Sequence, residues 1–184
     1  MTLEVKAISS KLAREVVEKN HYLHRKPNCS FAFGLYYNWR LVGVVTFGTP
    51  PSHHLQISAC NSAPGKVIEL NRLWVDDCMP KNTESRFVSE VLRKLPPFIV
   101  VSYADTAHGH EGYIYRALNF FYASWTDMER KTPRYDYVVV GKHSRDAFRC
   151  GEFTRVRRQP KMKYWTVTGN RREKKRTYEN RLLA

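Results

Sequence analysis

The stretch Phe98-Ile-Val-Val-Ser-Tyr-Ala-Asp105 (FIVVSYAD) is apolar through Val101 and turns polar at its end. Set off upstream by Pro96-Pro97, it predicts a strand over Phe98–Tyr103 that is buried on both faces. Such a strand needs helices above and below it, so the class is α/β. Just before it, TESRFVSEVLRKL reads as a helix with Asn82 as its cap and the two prolines as its stop. Further upstream Val67–Val75 (VIELNRLWV) reads as a long strand. Phe31–Tyr37 and Arg40–Phe47 read as a hairpin closed at Tyr37-Asn38-Trp39. Leu3–Ile8 alternates like an edge strand, and Ser9 or Ser10 then caps a helix with Leu12, Val16 and Val17 on one face. That helix ends near Asn20 and delivers His21, Tyr22 and His24 into a loop closed by Pro27. Thr49–Lys66 reads as a loop.

Downstream, Gly109–Gly112 forms a turn and Tyr113–Asn119 a short helix. Phe120–Trp125 and Tyr135–Val140 are expected as the closing strands. Met162–Val167 is one further strand, followed by the charged helix RREKKRTYENRLL. The expectation is a mixed, mostly antiparallel central sheet with helices on both faces. Neither GxGxxG nor GxxxxGK[ST] is present, which argues against a doubly wound nucleotide fold.

The 184 residues, 42% hydrophobic and 13% aromatic, suit one domain with a real core. The formal net charge of +14 favours polyanionic partners. It is unevenly spread. Residues 130–184 hold 17 Lys/Arg against 5 Asp/Glu, whereas the preceding part holds 14 against 12. The last third therefore carries the electrostatic footprint, with a solvated tail as the plainer alternative. The cysteines Cys29, Cys60, Cys78 and Cys150 form no CxxC pair, and no run approaches the ~18–20 apolar residues of a membrane span. The expectation is a cytoplasmic protein with free thiols and no membrane partner.

Four clusters could carry chemistry. Asp105, just past the C-terminal end of the buried strand with Tyr103 and Ser102 beside it, lies where open α/β sheets place ligands. A carboxylate there can polarise an amine N–H while a tyrosine stacks on a planar ring; the plainer reading is a turn cap. Asn71 and Arg72 lie in the strand before PKNTES, where Lys81, Asn82, Thr83 and Ser85 open a helix able to hold a phosphate. Simple alternation sets Glu69, Asn71 and Leu73 on one face and Leu70, Arg72 and Trp74 on the other. His21-Tyr22-x-His24 supplies a general base or a ligand. With His108, His110 and Asp105 it could assemble a mononuclear metal site, though HxxH and DxxHxH are loose spacings. Finally Arg155, Arg157, Arg158, Lys161, Lys163, Arg171, Arg172, Lys174, Lys175 and Arg176, interleaved with Tyr164, Trp165 and Tyr178, suit phosphate contact and stacking.

Taken together, ELNRLWVDDxxPKNTESxF, SYADTAHGHEGYIYRALNFFY and the early HYLHR resemble the Mom family of phage DNA-modification proteins, over roughly Met1–Val140. The resemblance implies a fold like that of GNAT acyltransferases, with residues 1–145 as catalytic domain; the charge distribution makes 146–184 a basic arm expected on double-stranded DNA. It implies conversion of the N6 amine of adenine into a carbamoylmethyl (acetamido) derivative, which shields phage DNA from host restriction. By the same resemblance His21, Tyr22, Ser102, Tyr103 and Asp105 match catalytic positions. Asn71, Arg72, Asn82, Thr83 and Ser85 match the stretch that replaces the GNAT cofactor loop, and His21 and Asp105 are natural ligands for an iron associated with the family. The donor stays open between an acetyl-CoA-like carrier and another, because DDCMPKNTES has no glycine where GNAT enzymes carry a glycine-rich turn. On this reading the adenine flips out of the duplex, stacks on Tyr22 or Tyr103 and gives its N6 proton toward Asp105 or His21. The alternatives are a conventional GNAT acetylating a protein or small amine, and a non-catalytic DNA-binding module.

Overall fold

The computed structural model describes residues 3–128, 131–139, 148–149, 151 and 153–182. Its strands are β1 (Leu3–Ala7), β2 (Phe31–Tyr37), β3 (Arg40–Gly48), β4 (Val67–Val75) and β5 (Ile99–Asp105), then β6 (Phe121–Trp125), β7 (Tyr135–Val138), β8 (Thr154–Arg157) and β9 (Lys161–Val167). Its helices are α1 (Ser10–Asn20), α2 (His53–Ala59), α3 (Thr83–Lys94), α4 (Tyr113–Ala117) and α5 (Arg171–Leu182). The frame is a seven-stranded sheet in the order β1-β2-β3-β4-β5-β9-β6. All neighbours in it are antiparallel except β4 and β5. Val100 and Val101 of β5 are fully buried, each in a different apolar cluster. One cluster joins the sheet to Phe87, Val88 and Val91 of α3; the other holds Ala59 and Cys60 at the end of α2. A third, with Ala13 and Val17 of α1, covers Ala32 and Val44. The sheet is sandwiched, as the FIVVSY run requires.

Local chemistry accounts for the boundaries. Ser9 caps α1 by accepting the Leu12 N–H at 3.2 Å. The β2–β3 turn places Asn38 and Trp39 at φ 47° and 67°, the paired left-handed conformation of a tight hairpin. Gly48 lets the chain lie against the carbonyl of Asn28, where a Cβ would collide, and so pins the loop that follows α1.

Four expectations need correction. The Thr49–Lys66 segment contains α2, a short helix missed among its Pro, Ser and His residues. Asn82 does not cap α3 with its side chain; it sits in the left-handed region at φ 68°. The expected closing strand β7 does not join the main sheet but pairs with β8 in a separate two-stranded ribbon. The strand expected over Met162–Val167 is present as β9, but it inserts between β5 and β6 rather than following on an appended arm. The late segment thus places a strand inside the main sheet. Among the described residues no helix is long and apolar enough to cross a membrane, and Cys29, Cys60 and Cys78 are free thiols.

Candidate active site

The site begins where a ladder stops. β4 and β5 run parallel through only three registered pairs, the last being Glu69↔Val101. Beyond it both strands continue, β4 held by β3 as far as Val75 and β5 held by β9 as far as Asp105. Two strands tied to different neighbours and not to each other open a wedge between their C-terminal halves. This is the place where mixed α/β sheets bind ligands. The wedge holds a cavity of about 380 Å³ whose walls include Glu69, Arg72, Tyr103, Asp105, Lys161 and Tyr22. That volume lies in the range of small-molecule sites.

Ser102 sits at the apex of the wedge and is 1% exposed. Its Oγ donates to the Leu70 carbonyl at 2.8 Å, and the Tyr115 hydroxyl lies at the same distance. A side chain here supplies the cross-link that the ladder no longer makes. Ser102 is not among the residues that line the cavity. Ser102→Ala leaves a buried carbonyl short of a partner, so a loss of about 1–3 kcal/mol is expected in denaturant unfolding.

A bulge decides which side chains face the wedge. Thr46 pairs with Arg72 and Phe47 with Leu70, so Asn71 is an extra residue in β4. Its side chain accepts from Thr46 Oγ1 and donates to the Asn28 carbonyl, both at 2.6 Å. The extra residue breaks simple alternation. Glu69 and Arg72, which alternation assigns to opposite faces, both line the cavity. Arg72 donates from Nη1 to the Asn71 carbonyl at 2.5 Å, while its buried Nε has no partner among the described residues. That leaves a cationic donor for an incoming acceptor.

Asp105, 7% exposed, uses both oxygens. Oδ1 accepts the Ala107 N–H at 3.3 Å and Oδ2 accepts from Lys161 Nζ at 2.5 Å. It therefore caps the next turn and also lines the cavity; the two readings coexist. Lys161, expected on the DNA arm, is instead a cation of this site. Glu69 was not singled out as a site residue from the sequence. Burial pushes its carboxyl up to about 7, against the opposing pull of Arg72 and Lys161. Burial likewise raises the Tyr103 phenol, and raises Tyr22 and Tyr115 to about 12. All three phenols are protonated at neutral pH.

His21 is buried, and its Nδ1 accepts the Leu23 N–H at 3.1 Å. Burial, then the charges of Arg72, His110, His108 and His24, push its pKa down to about 4. The ring is thus neutral near pH 7 with its proton on Nε2, which is left as a hydrogen-bond donor. The Tyr22 ring lies 4.2 Å from His21, 4.3 Å from His108 and 5.3 Å from His110, centroid to centroid. Of this stack His21, Tyr22 and His110 form part of the wall, and Tyr22 is also exposed to solvent.

Other expected residues fall elsewhere. Thr83 Oγ1 bonds the Pro80 carbonyl and Ser85 Oγ the Asn82 carbonyl. Lys81 and Asn82 are exposed, and of residues 81–85 only Glu84 lines the cavity. The expected iron does not fit. No group of three or more His, Cys, Asp or Glu side chains is placed to hold a metal among the described residues. Asp105 is engaged by Lys161, and the His21 tautomer places a proton where a metal would sit. Of the remaining basic residues, Arg155 and Arg157 are exposed on the ribbon, Arg158 pairs with Asp136 and Lys163 is half-buried in β9. Arg171, Arg172, Lys174, Lys175 and Arg176 lie along α5, turned mostly to solvent. Trp165 and Tyr178 pack on each other beside the core, and Tyr164 is buried, so these rings serve the fold.

A mixed sheet splayed between β4 and β5 is the fold of GNAT acetyltransferases. A Bacillus cereus GNAT-family acetyltransferase superposes with a TM-score of 0.52 at 10% identity, covering 92% of this chain and 100% of that one. A GNAT-superfamily phosphinothricin acetyltransferase from Sinorhizobium meliloti, solved in complex with AcCoA, gives 0.53 at 11% identity, covering 92% and 90%. The chain belongs to the Mom protein family, whose sequence pattern matches residues 2–180. It is 37% identical over 126 residues to the methylcarbamoylase mom of Escherichia phage Mu. That match covers 64% of this chain and 52% of the relative, so the chain spans about half the length of the curated protein it matches.

Proposed function

We propose that this chain is a phage-type DNA-modification enzyme that transfers a carbamoylmethyl group to the N6 amine of adenine and so protects DNA from restriction. The observation that carries the reading is the wedge itself. It joins carboxylates, two cations and an aromatic wall in a cavity of about 380 Å³ at the open end of a parallel strand pair. Family membership and the phage Mu relative support the same chemistry.

The base is extruded from the duplex and lies against Tyr22 or Tyr103. Asp105, bridged to Lys161, accepts a hydrogen bond from N6. Glu69, ionising near neutrality, takes the N6 proton as the N6–carbon bond forms and the bond from that carbon to its carrier breaks. The neutral His21 donates from Nε2 to a ring acceptor, and Arg72 meets the negative end of the donor. A fold relative was solved with acetyl-CoA, but a plain thioester gives up its carbonyl carbon and would acylate N6, so the carbamoylmethyl donor must release its methylene carbon instead. Asn82 supplies the left-handed geometry that glycine otherwise gives at the head of α3.

The test is expression in bacteria followed by nucleoside mass spectrometry of total DNA. A fraction of deoxyadenosine shifted to the carbamoylmethyl form is expected. An unaltered profile from abundant folded protein, with thermal stabilisation by acetyl-CoA and acetylation of an amine, replaces this reading with that of a conventional N-acetyltransferase.

A further inference from the structure

The β7–β8 ribbon is not part of the main sheet, and its sequence neighbourhood is strongly basic. Residues 130–160 contain 9 Lys/Arg and 3 Asp/Glu. The register pairs Tyr135 with Arg157, Asp136 with Val156, and Tyr137 with Arg155. Directly paired residues share a face, so Arg155 and Arg157 stand with Tyr135 and Tyr137, while Asp136 and Val156 stand on the other side. The two faces do different jobs. Asp136 is bound through both oxygens by Arg158; burial is outweighed there by that pairing and by the charges of Lys161 and Arg25, which hold the carboxyl below its usual range. Asp136 thus lies within electrostatic reach of Lys161, which lines the wedge. The chain leaving β8 runs to the same place: the Pro160 carbonyl accepts from Thr106 Oγ1 at 2.5 Å, and the next residue is Lys161, partner of Asp105.

The opposite face combines two half-buried tyrosines with two exposed arginines. Arg155 and Arg157 are exposed, and the Arg155 guanidinium rests 3.6 Å from the Tyr135 ring centroid. A ring beneath a guanidinium holds the planar fork in a fixed orientation, which suits bidentate hydrogen bonds to paired acceptors. Tyr137 packs against Phe148 and Phe153, which stiffens the ribbon. The major groove of B-DNA, about 12 Å wide, admits a two-stranded ribbon, and guanine presents N7 and O6 there as a bidentate acceptor pair. We propose that the β7–β8 ribbon docks in the major groove of duplex DNA through its Arg155–Arg157 face, beside the wedge to which Pro160 and Lys161 tie it. This rests on the DNA-modification reading and adds which element meets the duplex and in which groove. α5 then serves as a contact to the DNA backbone.

The test is duplex binding by fluorescence anisotropy, with dimethyl sulfate footprinting of guanine N7 in the major groove. The Arg155→Gln/Arg157→Gln double variant, its fold checked by melting temperature, is expected to bind at least tenfold more weakly and to lose N7 protection. Lys174→Gln/Lys175→Gln in α5 weakens binding but keeps the N7 pattern. Arg155→Lys preserves the ribbon and the charge but removes the fork held over Tyr135; it should keep general affinity while weakening protection, and so decides the matter if the double variant fails to fold. Undiminished N7 protection in the ribbon variants, or protection confined to the minor groove, overturns docking by the ribbon while modified adenine in the cell leaves the enzyme reading standing. A wild-type protein that neither binds duplex nor alters adenine overturns both.

Discussion

Asp105→Ala is expected to lower the yield of modified adenine at least about 100-fold, the scale on which a preorganised charge that meets the reacting group acts. It also strands the Lys161 ammonium, which is one-third exposed, so a stability loss of about 1–3 kcal/mol accompanies it once solvent screening is allowed for. Asp105→Asn separates the two effects. The one amide oxygen still accepts the Ala107 N–H, so the cap is kept, while an NH2 replaces the oxygen that met Lys161 and the negative charge that polarises N6 is gone. A folded, inactive Asn variant in the nucleoside assay supports chemistry at this position. A folded and active one reduces Asp105 to a cap.

Glu69→Gln is expected to act in opposite directions on activity and stability. In the folded chain the Glu69 carboxyl titrates at about 7, above the 4.5 of a glutamate in water. As the pH rises from 4.5 through 7, the unfolded chain gives up this proton before the folded one does, and stability falls. The loss reaches about 3 kcal/mol by pH 8, since a tenfold change in proton affinity is worth about 1.4 kcal/mol. Glutamine stays neutral, so the variant should melt higher than the wild type at pH 8 and nearly alike at pH 4.5. The modification rate of the wild type should climb between pH 6 and 8 as the carboxyl ionises. That of the variant should be flat and about 100-fold or more lower. A variant that keeps the wild-type pH profile removes Glu69 from proton transfer.

Most of the frame was legible because short-range rules dictate it. The FIVVSY run, the Pro96-Pro97 stop and the Asn38-Trp39 turn each specify a conformation through neighbouring residues alone. Asp105 was legible too, since a carboxylate at the end of a buried strand falls at the ligand end of a sheet whatever the rest does. What escaped depended on distant partners. Lys161 lies opposite Asp105 only because β9 enters between β5 and β6, and nothing within Lys161–Val167 announces its neighbours. Glu69 and Arg72 share the cavity because of a bulge at Asn71, set by contacts to Thr46 and Asn28. A signal for Glu69 was present all the same: it is the one acid in VIELNRLWV, where only Asn71 and Arg72 are otherwise polar. The basic residues of the last third were read as one surface, but the fold divides them among a cavity, a ribbon and a helix.

The insertion of β9 carries a consequence for how the molecule comes into being. A ribosome must deliver residue 167 before the β5 edge is covered, so a growing chain carries an unpaired strand flank of Ile, Val and Val from the time β5 emerges until β9 follows it. Until then Asp105 has no ammonium beside it. The pocket acquires its charge balance in the same event that completes the fold, and a product cut short before residue 161 is sticky and chemically idle.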